Sequence, residues 1–164
     1  MSESESAMPA VVNGSDVEKR WFLGTLVQIK LDGRTTGGRI GVFEGELPRG
    51  ASPPMHSHPQ DETFYVLEGE VTAWVDGEPR TCRRGGMAFA PGGTPHSWRV
   101  ESDTARMLVI STPAGIEDYA RELSEPAEWP WLQPPVDGRR LPPERIAAAN
   151  QAHGVREHGP PPNA

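Results

Sequence analysis

Three histidines and one glutamate in this chain have the types and spacing of ligands for a metal ion. His56 and His58 are separated by one residue, Glu62 follows closely, and His96 comes from a later segment. Side chains two residues apart in an extended strand share a face, so the first three ligands have the same parity. Imidazole and carboxylate suit Fe, Ni, Mn, Co, Zn or Cu, and ligand type does not choose among them. We therefore predict one divalent transition metal ion bound by these four side chains.

The alternative interpretation needs no metal. In that case His56 and His58 lie on an exposed loop, and Glu62 faces water on an edge strand. Glu62, however, opens the apolar run Thr63–Leu67, and carboxylates are rarely buried unless they are paired or bind a metal. The combination with His96, which follows a turn rich in glycine and proline, favours the metal site.

Short segments rich in β-branched and aromatic residues must position these ligands. Turn residues separate the segments, and Asp76-Gly77 is a strong signal for a two-residue hairpin. About eight strands are predicted in this way, which is typical of an all-β sandwich or barrel. The predicted strands cover residues 21–31, 39–47, 62–67, 70–75, 79–82, 86–90, 96–100 and 105–111.

Length and charge restrict the function classes. The chain has 164 residues, enough for one domain with a core, and a net charge of −7. Without a basic run or a long apolar stretch, we expect neither nucleic acid nor membrane as a partner. The acidic N-terminus does not resemble a secretory signal. Cys82 is the only cysteine, so we interpret it as a small packing residue and expect a cytoplasmic protein.

The composition divides the chain into three parts. Residues 1–16 are predicted to be a flexible N-terminal segment, residues 17–112 a β-barrel, and residues 113–164 a helical and proline-rich extension that packs on the barrel. Helices are predicted at 117–124 and 143–152. Trp129 and Trp131 are interpreted as packing or dimer contacts.

Two sequence motifs resemble those of the cupin superfamily. The first motif, G-x5-H-x-H-x3-E-x6-G, is matched in full from Gly50 to Gly69, and the second is matched by Gly85, Pro91, Gly93 and His96. Val100 stands where the second motif has asparagine. The resemblance implies an all-β fold, a cupin jelly-roll β-barrel with short C-terminal helices, and the metal ligands named above.

The side chains around the metal were assigned by parity. Phe64, Val66, Trp98 and Val100 are predicted to face the same interior as the ligands, and the alternative is that they are plain barrel core. Helical spacing in the extension makes Ile116 and Tyr119 a candidate lid over the pocket, with packing as the alternative role. We infer a rather apolar cavity that suits a small aromatic or polyketide-like substrate. These six residues are the predicted substrate-binding side chains.

Three further stretches resemble small bacterial quercetin 2,3-dioxygenase-like cupins: 55–69, Pro113-Ala-Gly-Ile-Glu, and the tail from His153 to Pro162. The resemblance implies a metal-dependent dioxygenase that cleaves a flavonol-like or polyphenolic enol with O2. Glu62 would be the catalytic general base that takes the substrate hydroxyl proton, with its proton affinity raised by an apolar pocket. A homodimer is also expected from the family.

Two other classes of function remain open at this point. One is a metal-dependent cyclase, isomerase or hydro-lyase that acts on a natural-product intermediate without oxygen. The other is a non-catalytic cupin that binds a small molecule.

Overall fold

The computed structural model describes residues 6–127 and 141–162. Within them the chain forms twelve β-strands and three short helices. The strands are β1 (Glu18–Phe22), β2 (Thr25–Leu31), β3 (Gly41–Pro48), β4 (Met55–Ser57), β5 (Asp61–Glu68), β6 (Glu70–Val75), β7 (Glu78–Arg83), β8 (Met87–Ala90), β9 (His96–Val100), β10 (Thr104–Thr112), β11 (Ser124–Pro126) and β12 (Arg156–Gly159). The helices are α1 (Gly33–Thr36), α2 (Ile116–Glu122) and α3 (Pro143–His153).

The strands form two antiparallel sheets. The larger sheet has seven strands in the order β11-β1-β2-β3-β10-β5-β8, and the smaller has five in the order β12-β4-β9-β6-β7. This is the predicted all-β architecture of a jelly roll with short C-terminal helices. The first and last strands of the described chain therefore both join the sheets as outer or near-outer members.

Strand β5 shows why the sheets pack face to face. Its buried residues, Glu62, Phe64 and Val66, alternate with the more exposed Thr63 and Tyr65. Because successive side chains point to opposite faces, this pattern places one face of β5 in the interior. Burial of each large apolar side chain contributes roughly 1.5–3 kcal/mol.

Two buried clusters fill the space between the sheets. One surrounds Phe64, and the other contains Val66 and Val100. Trp98 packs against both clusters and connects them.

The predicted strand 21–31 is wrong in one respect, because the structure divides it into β1 and β2. A two-residue turn at Leu23 and Gly24 separates them, with φ angles of 47° and 84°. The alternation of apolar residues continues across this turn, so the pattern alone does not reveal the reversal. Strands β4, β11 and β12 were not predicted at all, since each is only three or four residues long.

The predicted hairpin at Asp76-Gly77 is confirmed. Val75 and Glu78 are register partners, and both turn residues have positive φ angles, 55° and 100°. This is the backbone that a tight two-residue hairpin requires.

The C-terminal extension joins the sheets through β11, which pairs with β1, and through β12, which pairs with β4. Helix α2 contacts β1, β3 and α3. The helix predicted at 143–152 is confirmed as α3, which begins at Pro143 and ends before Gly154 in a left-handed conformation. The helix predicted at 117–124 begins one residue earlier and ends at Glu122, because the chain enters β11 at Ser124. Trp129 and Trp131 lie outside the described residues.

In the N-terminal segment, residues 6–16 are largely exposed and carry no strand, and the amide of Met8 donates to Thr35 O at 2.8 Å. The predicted flexibility of residues 1–16 stays a prediction. Helices in the described part of the chain are too short to span a membrane.

Candidate metal centre and substrate cavity

Both sheets contribute to the predicted metal site. His56 lies on β4 and His96 begins β9, and these two residues are register partners in the smaller sheet. His58 follows the end of β4, while Glu62 lies on β5 of the larger sheet. The site therefore bridges the two sheets, and Glu62 is the ligand from the larger one.

The four side chains converge closely. One potential ligand atom from each of His56, His58, Glu62 and His96 can be chosen so that all lie within 4.8 Å of one another. Glu62 Oε2 is 2.9 Å from His58 Nε2 and 2.8 Å from His96 Nε2. Three of the four residues are buried, and His56 is partly buried. The structure thus brings together the complete predicted ligand set.

Backbone carbonyls fix the orientation of each imidazole. The Nδ1 of His56 lies 2.8 Å from Pro54 O, and the Nδ1 of His96 lies 2.8 Å from Thr94 O. A carbonyl oxygen can only accept, so each of these Nδ1 atoms must carry the proton and donate it. Hydrogen bonds of this kind set the tautomer and ring orientation of metal-binding histidines.

His58 follows the same arrangement, because its Nδ1 donates to Gln60 O at 3.1 Å. The Nε2 atoms of all three imidazoles are therefore the ones left to bind an ion. In the neutral ring with Nδ1 protonated, Nε2 carries a lone pair.

This donor set fits a divalent cation. The Nε2 lone pairs of His58 and His96 face a carboxylate oxygen of Glu62, which is also an acceptor. Acceptors at this distance repel each other unless a proton or a cation lies between them. One divalent ion satisfies three imidazoles and one carboxylate together, which a single proton cannot do.

The electrostatics of the cluster change the pKa of three ligands. Burial and the neighbouring His96 lower the pKa of His56 to about 4. Burial alone would lower the pKa of His96, but its hydrogen bond and ion pair with Glu62 outweigh that effect and raise the pKa. His56 is consequently neutral at physiological pH, which a metal ligand requires.

The pKa of Glu62 differs from the expectation. Burial raises it, as predicted for an apolar pocket, but the hydrogen bonds and charges of His58 and His96 outweigh burial and lower the pKa to about 2. Glu62 is therefore a carboxylate in this cluster. The apolar surroundings alone would raise the pKa, and the two adjacent imidazoles reverse the direction.

A cavity of about 410 Å³ lies beside the ligands. His56, His58 and Glu62 form part of its wall, and apolar side chains from both sheets form most of the rest. Exposed Leu23, Gly50 and Glu157 also line it. The predicted apolar character of the pocket agrees with this lining.

Four of the six predicted substrate-binding residues line the cavity: Phe64, Trp98, Ile116 and Tyr119. Ile116 and Tyr119 lie on α2, so this helix contributes to the cavity wall. Their contact with a substrate stays a prediction.

Val66 and Val100 do not line the cavity, contrary to the parity assignment. Both are 1% exposed and pack in the second core cluster beside Met107. They face the barrel interior as predicted, but in the part of the barrel where core side chains fill the space between the sheets. They correspond to the plain-core alternative.

Several lining residues were missed by the sequence analysis. Phe22 lies at the end of β1, while Val155 and Glu157 come from the C-terminal segment. The available signal is the short polar run Arg156-Glu157-His158, which lies between Gly154 and Gly159. Nothing in that run indicates that it pairs with β4, which carries a metal ligand.

Comparison with known proteins agrees with the fold and the site. The cupin domain family model matches residues 43–112. Quercetin 2,3-dioxygenase of Bacillus subtilis is 30% identical over 125 residues, which is 76% of this chain and 37% of that protein. The dimethylsulfoniopropionate lyase DddQ of Ruegeria pomeroyi is 34% identical over 65 residues, or 39% of this chain and 32% of the lyase.

Among solved structures, the polyketide cyclase RemF of Streptomyces resistomycificus has a similar fold. Its TM-score is 0.55 at 24% identity, with 85% of this chain and 91% of that chain covered. At this identity the similarity concerns the fold alone.

The chain contains a cupin domain, which the family model matches over residues 43–112. It covers 37% and 32% of the two curated relatives described above, so it spans about a third of their length. These two relatives belong to different reaction classes, since one is a dioxygenase and the other a lyase.

Proposed function

We propose that this protein is a metal-dependent dioxygenase of the quercetinase type, which cleaves a flavonol-like or polyphenolic enol substrate with O2. One observation carries the proposal: three of the four predicted metal ligands, His56, His58 and Glu62, form part of the wall of a largely apolar cavity large enough for a small aromatic molecule. The similarity to quercetin 2,3-dioxygenase over 76% of the chain supports the same reaction class.

His56, His58, Glu62 and His96 would hold the ion. A bound divalent metal supplies Lewis acidity, which favours the ionised form of a substrate hydroxyl. The backbone carbonyls of Pro54, Gln60 and Thr94 keep the three imidazoles in place while substrate enters.

Glu62 is placed to accept the substrate proton. Its Oε2 lies between His58 and His96, whereas its Oε1 makes no hydrogen bond with any residue in the described ranges. Glu62 also lines the cavity. We assign Oε1 as the atom that takes the hydroxyl proton, in agreement with the role of general base predicted for this residue.

The walls of the cavity bind the rings of the substrate. Phe64 and Trp98 offer aromatic surface, and Ile116 offers aliphatic surface at the start of α2. Aromatic side chains favour planar ligands through offset or edge-to-face contacts. Apolar walls also exclude water from the reacting carbon atoms.

Oxygen uptake tests the proposal directly. Metal-loaded protein is supplied with quercetin in air, and O2 consumption is measured with an electrode while the product is analysed by mass spectrometry. We expect consumption with the native chain and a decrease of at least about 100-fold in Glu62→Gln, since general-base catalysis contributes roughly 10²–10⁴-fold.

The same assay separates the alternatives. Turnover of a polyphenol or polyketide without O2 uptake selects a cyclase, isomerase or hydro-lyase, a class to which the similarity to DddQ lends support. Binding of the flavonol without any product selects a non-catalytic cupin.

A further inference from the structure

The C-terminal strand places a second carboxylate beside the metal centre. Strand β12 pairs with β4, and in this pairing Glu157 is the register partner of His56. Directly opposed residues of an antiparallel pair project from the same face, with Cβ atoms about 5 Å apart. Glu157 and His56 both line the cavity.

The position of β12 is fixed on both sides of Glu157. Ser57 Oγ lies 2.8 Å from His158 Nε2, within hydrogen-bonding distance. On the other side, buried Val155 lines the cavity and its amide donates to Asn150 O at 2.8 Å. These contacts hold the backbone of the strand against β4 while the Glu157 side chain remains exposed.

A chain of hydrogen bonds orients the Glu157 carboxylate. The hydroxyl of Tyr119 donates to Asn150 Oδ1 at 2.8 Å, and Asn150 Nδ2 donates to Glu157 Oε1 at 3.1 Å. Tyr119 itself lines the cavity and packs edge-to-face on Phe22. Asn150 is the only donor to this carboxylate within residues 6–127 and 141–162, so Oε2 is left for a ligand.

Apart from the proposed metal ion, the charged groups of the cavity lining are acidic side chains. Glu62 and Glu157 are its acidic residues, and no lysine or arginine from the described part of the chain contributes to its wall. A carboxylate or phosphate group on a ligand would find no cationic side chain there. A neutral ligand that donates hydrogen bonds is the chemical complement of this lining.

We propose that Glu157 is a substrate-binding and specificity residue. Its Oε2 accepts a hydrogen bond from a hydroxyl group of a neutral polyphenol, and the enol oxygen of the same polyphenol faces the metal centre. This inference rests on the proposed function and deepens it, because the Glu157 carboxylate would favour neutral substrates with several hydroxyl groups over monohydroxylated or anionic substrates. Substrate covering the exposed carboxylate would strengthen the bond by removing water.

Binding of two flavonols tests the role of Glu157. Quercetin carries several hydroxyl groups besides the enol, whereas 3-hydroxyflavone carries the enol alone. Dissociation constants of both are measured by calorimetry under anaerobic conditions with the metal-loaded native chain, Glu157→Gln and the control Glu78→Gln. Glu78 is exposed on β7 and is not part of the cavity lining.

We expect the native chain to prefer quercetin, and Glu157→Gln to weaken quercetin binding about tenfold with 3-hydroxyflavone unchanged, since a charged acceptor is replaced by a neutral one. Glu78→Gln should change neither constant. Equal effects of Glu157→Gln on both ligands, or no effect on either, overturn the role of Glu157 and leave the oxygenase proposal intact. Failure of the native chain to bind either flavonol overturns both proposals.

Discussion

Glu62 and His96 belong to different sheets, yet Glu62 Oε2 and His96 Nε2 are 2.8 Å apart. Both side chains are at least 95% buried, so their contact joins the sheets inside the barrel. A metal ion bound at this point would connect β5 with β9. Binding of the ion should therefore be linked to folding stability.

Removal of the metal should lower the melting temperature. At a free metal concentration 100 times the dissociation constant, binding stabilises the folded state by about 2.7 kcal/mol. For a domain of this size that corresponds to roughly 5–10 °C. Differential scanning calorimetry with and without a chelator measures the difference, and elemental analysis gives the metal content.

His96→Ala provides the control for this experiment. It removes one ligand, so the variant should retain little metal and its melting temperature should be insensitive to the chelator. Full metal content in both His96→Ala and Glu62→Ala would contradict the assigned site.

Glu117 should be important for stability although it lies outside the proposed active site. Its side chain is 0% exposed, Oε1 accepts from the amide of Gly33 at 3.0 Å, and Oε2 accepts from the amide of Gly115 at 2.9 Å. Glu117→Ala leaves both amides without this partner, and we expect a loss of about 3 kcal/mol in the free energy of unfolding. Urea denaturation measures it, and exposed Glu78→Ala should change it by less than about 0.5 kcal/mol.

A substitution at Gly41 tests the position of the buried Glu117 carboxylate, because Gly41 lies next to Glu117 Oε2. A Cβ atom at this position would lie 2.0 Å from Glu117 Oε2. Gly41→Ala must therefore displace the carboxylate or the strand, and should destabilise the fold by about 1–3 kcal/mol, as overpacked cores do. A Gly41→Ala variant as stable as the native chain would show that Glu117 is not held in place.

Asp32 should contribute to stability in a pH-dependent way. Burial raises the pKa of its carboxyl, but hydrogen bonds from the Thr35 amide and Arg121 outweigh burial and lower the pKa to about 2. The folded state thus binds its proton less readily than the unfolded chain. The contribution is present above about pH 4 and is lost as pH falls through 2, with a magnitude of about 1 kcal/mol after solvent screening.

Asp32→Asn isolates this contribution. Asparagine can still cap α1 by accepting from the Thr35 amide, so the helix start is preserved. The free energy of unfolding at pH 6 and pH 2.5 should differ less in the variant than in the native chain. Asp103→Asn, whose side chain is 95% exposed, is the matched control, and an unchanged pH dependence in Asp32→Asn would count against the assignment.

We propose that the expected homodimer uses the outer face of the larger sheet. Register places Ile110, Thr63 and Phe89 in one row and Leu108, Tyr65 and Met87 in the next. Met87 and Phe89 are 58% and 53% exposed on β8, which ends its sheet among the described strands. Pairing with a second copy would cover both the apolar rows and this open edge.

Phe89→Lys tests the dimer proposal. A charge in the covered face should raise the dimer dissociation constant at least about tenfold, measured by analytical ultracentrifugation. Val11→Lys changes another exposed apolar residue, 95% exposed and distant from the sheet in sequence, and should have no effect. A native chain that sediments as a monomer at all concentrations would refute the proposal.

The sequence alone predicted the ligand quartet and the fold class. His56, His58 and Glu62 could be identified from their residue types and spacing, although they do not lie on one strand as the parity argument assumed. The Asp76-Gly77 hairpin could be identified because a tight turn demands particular residues. The motifs around Gly50 and Gly93 identified His96 as the fourth ligand before its position was known. These features depend on the spacing of residues along the chain, which can be read from the sequence without knowledge of the fold.

The tertiary structure decided which interior residues meet the cavity. Phe64 and Val66 have the same parity on β5, but Phe64 lines the cavity and Val66 lies in filled core. Parity assigns a side chain to one face of a sheet. Where the space between two sheets stays open depends on how both sheets pack, which parity does not describe. Glu157 shows the same limit, because only the pairing of β12 with β4 brings a carboxylate a hundred positions along the chain next to His56.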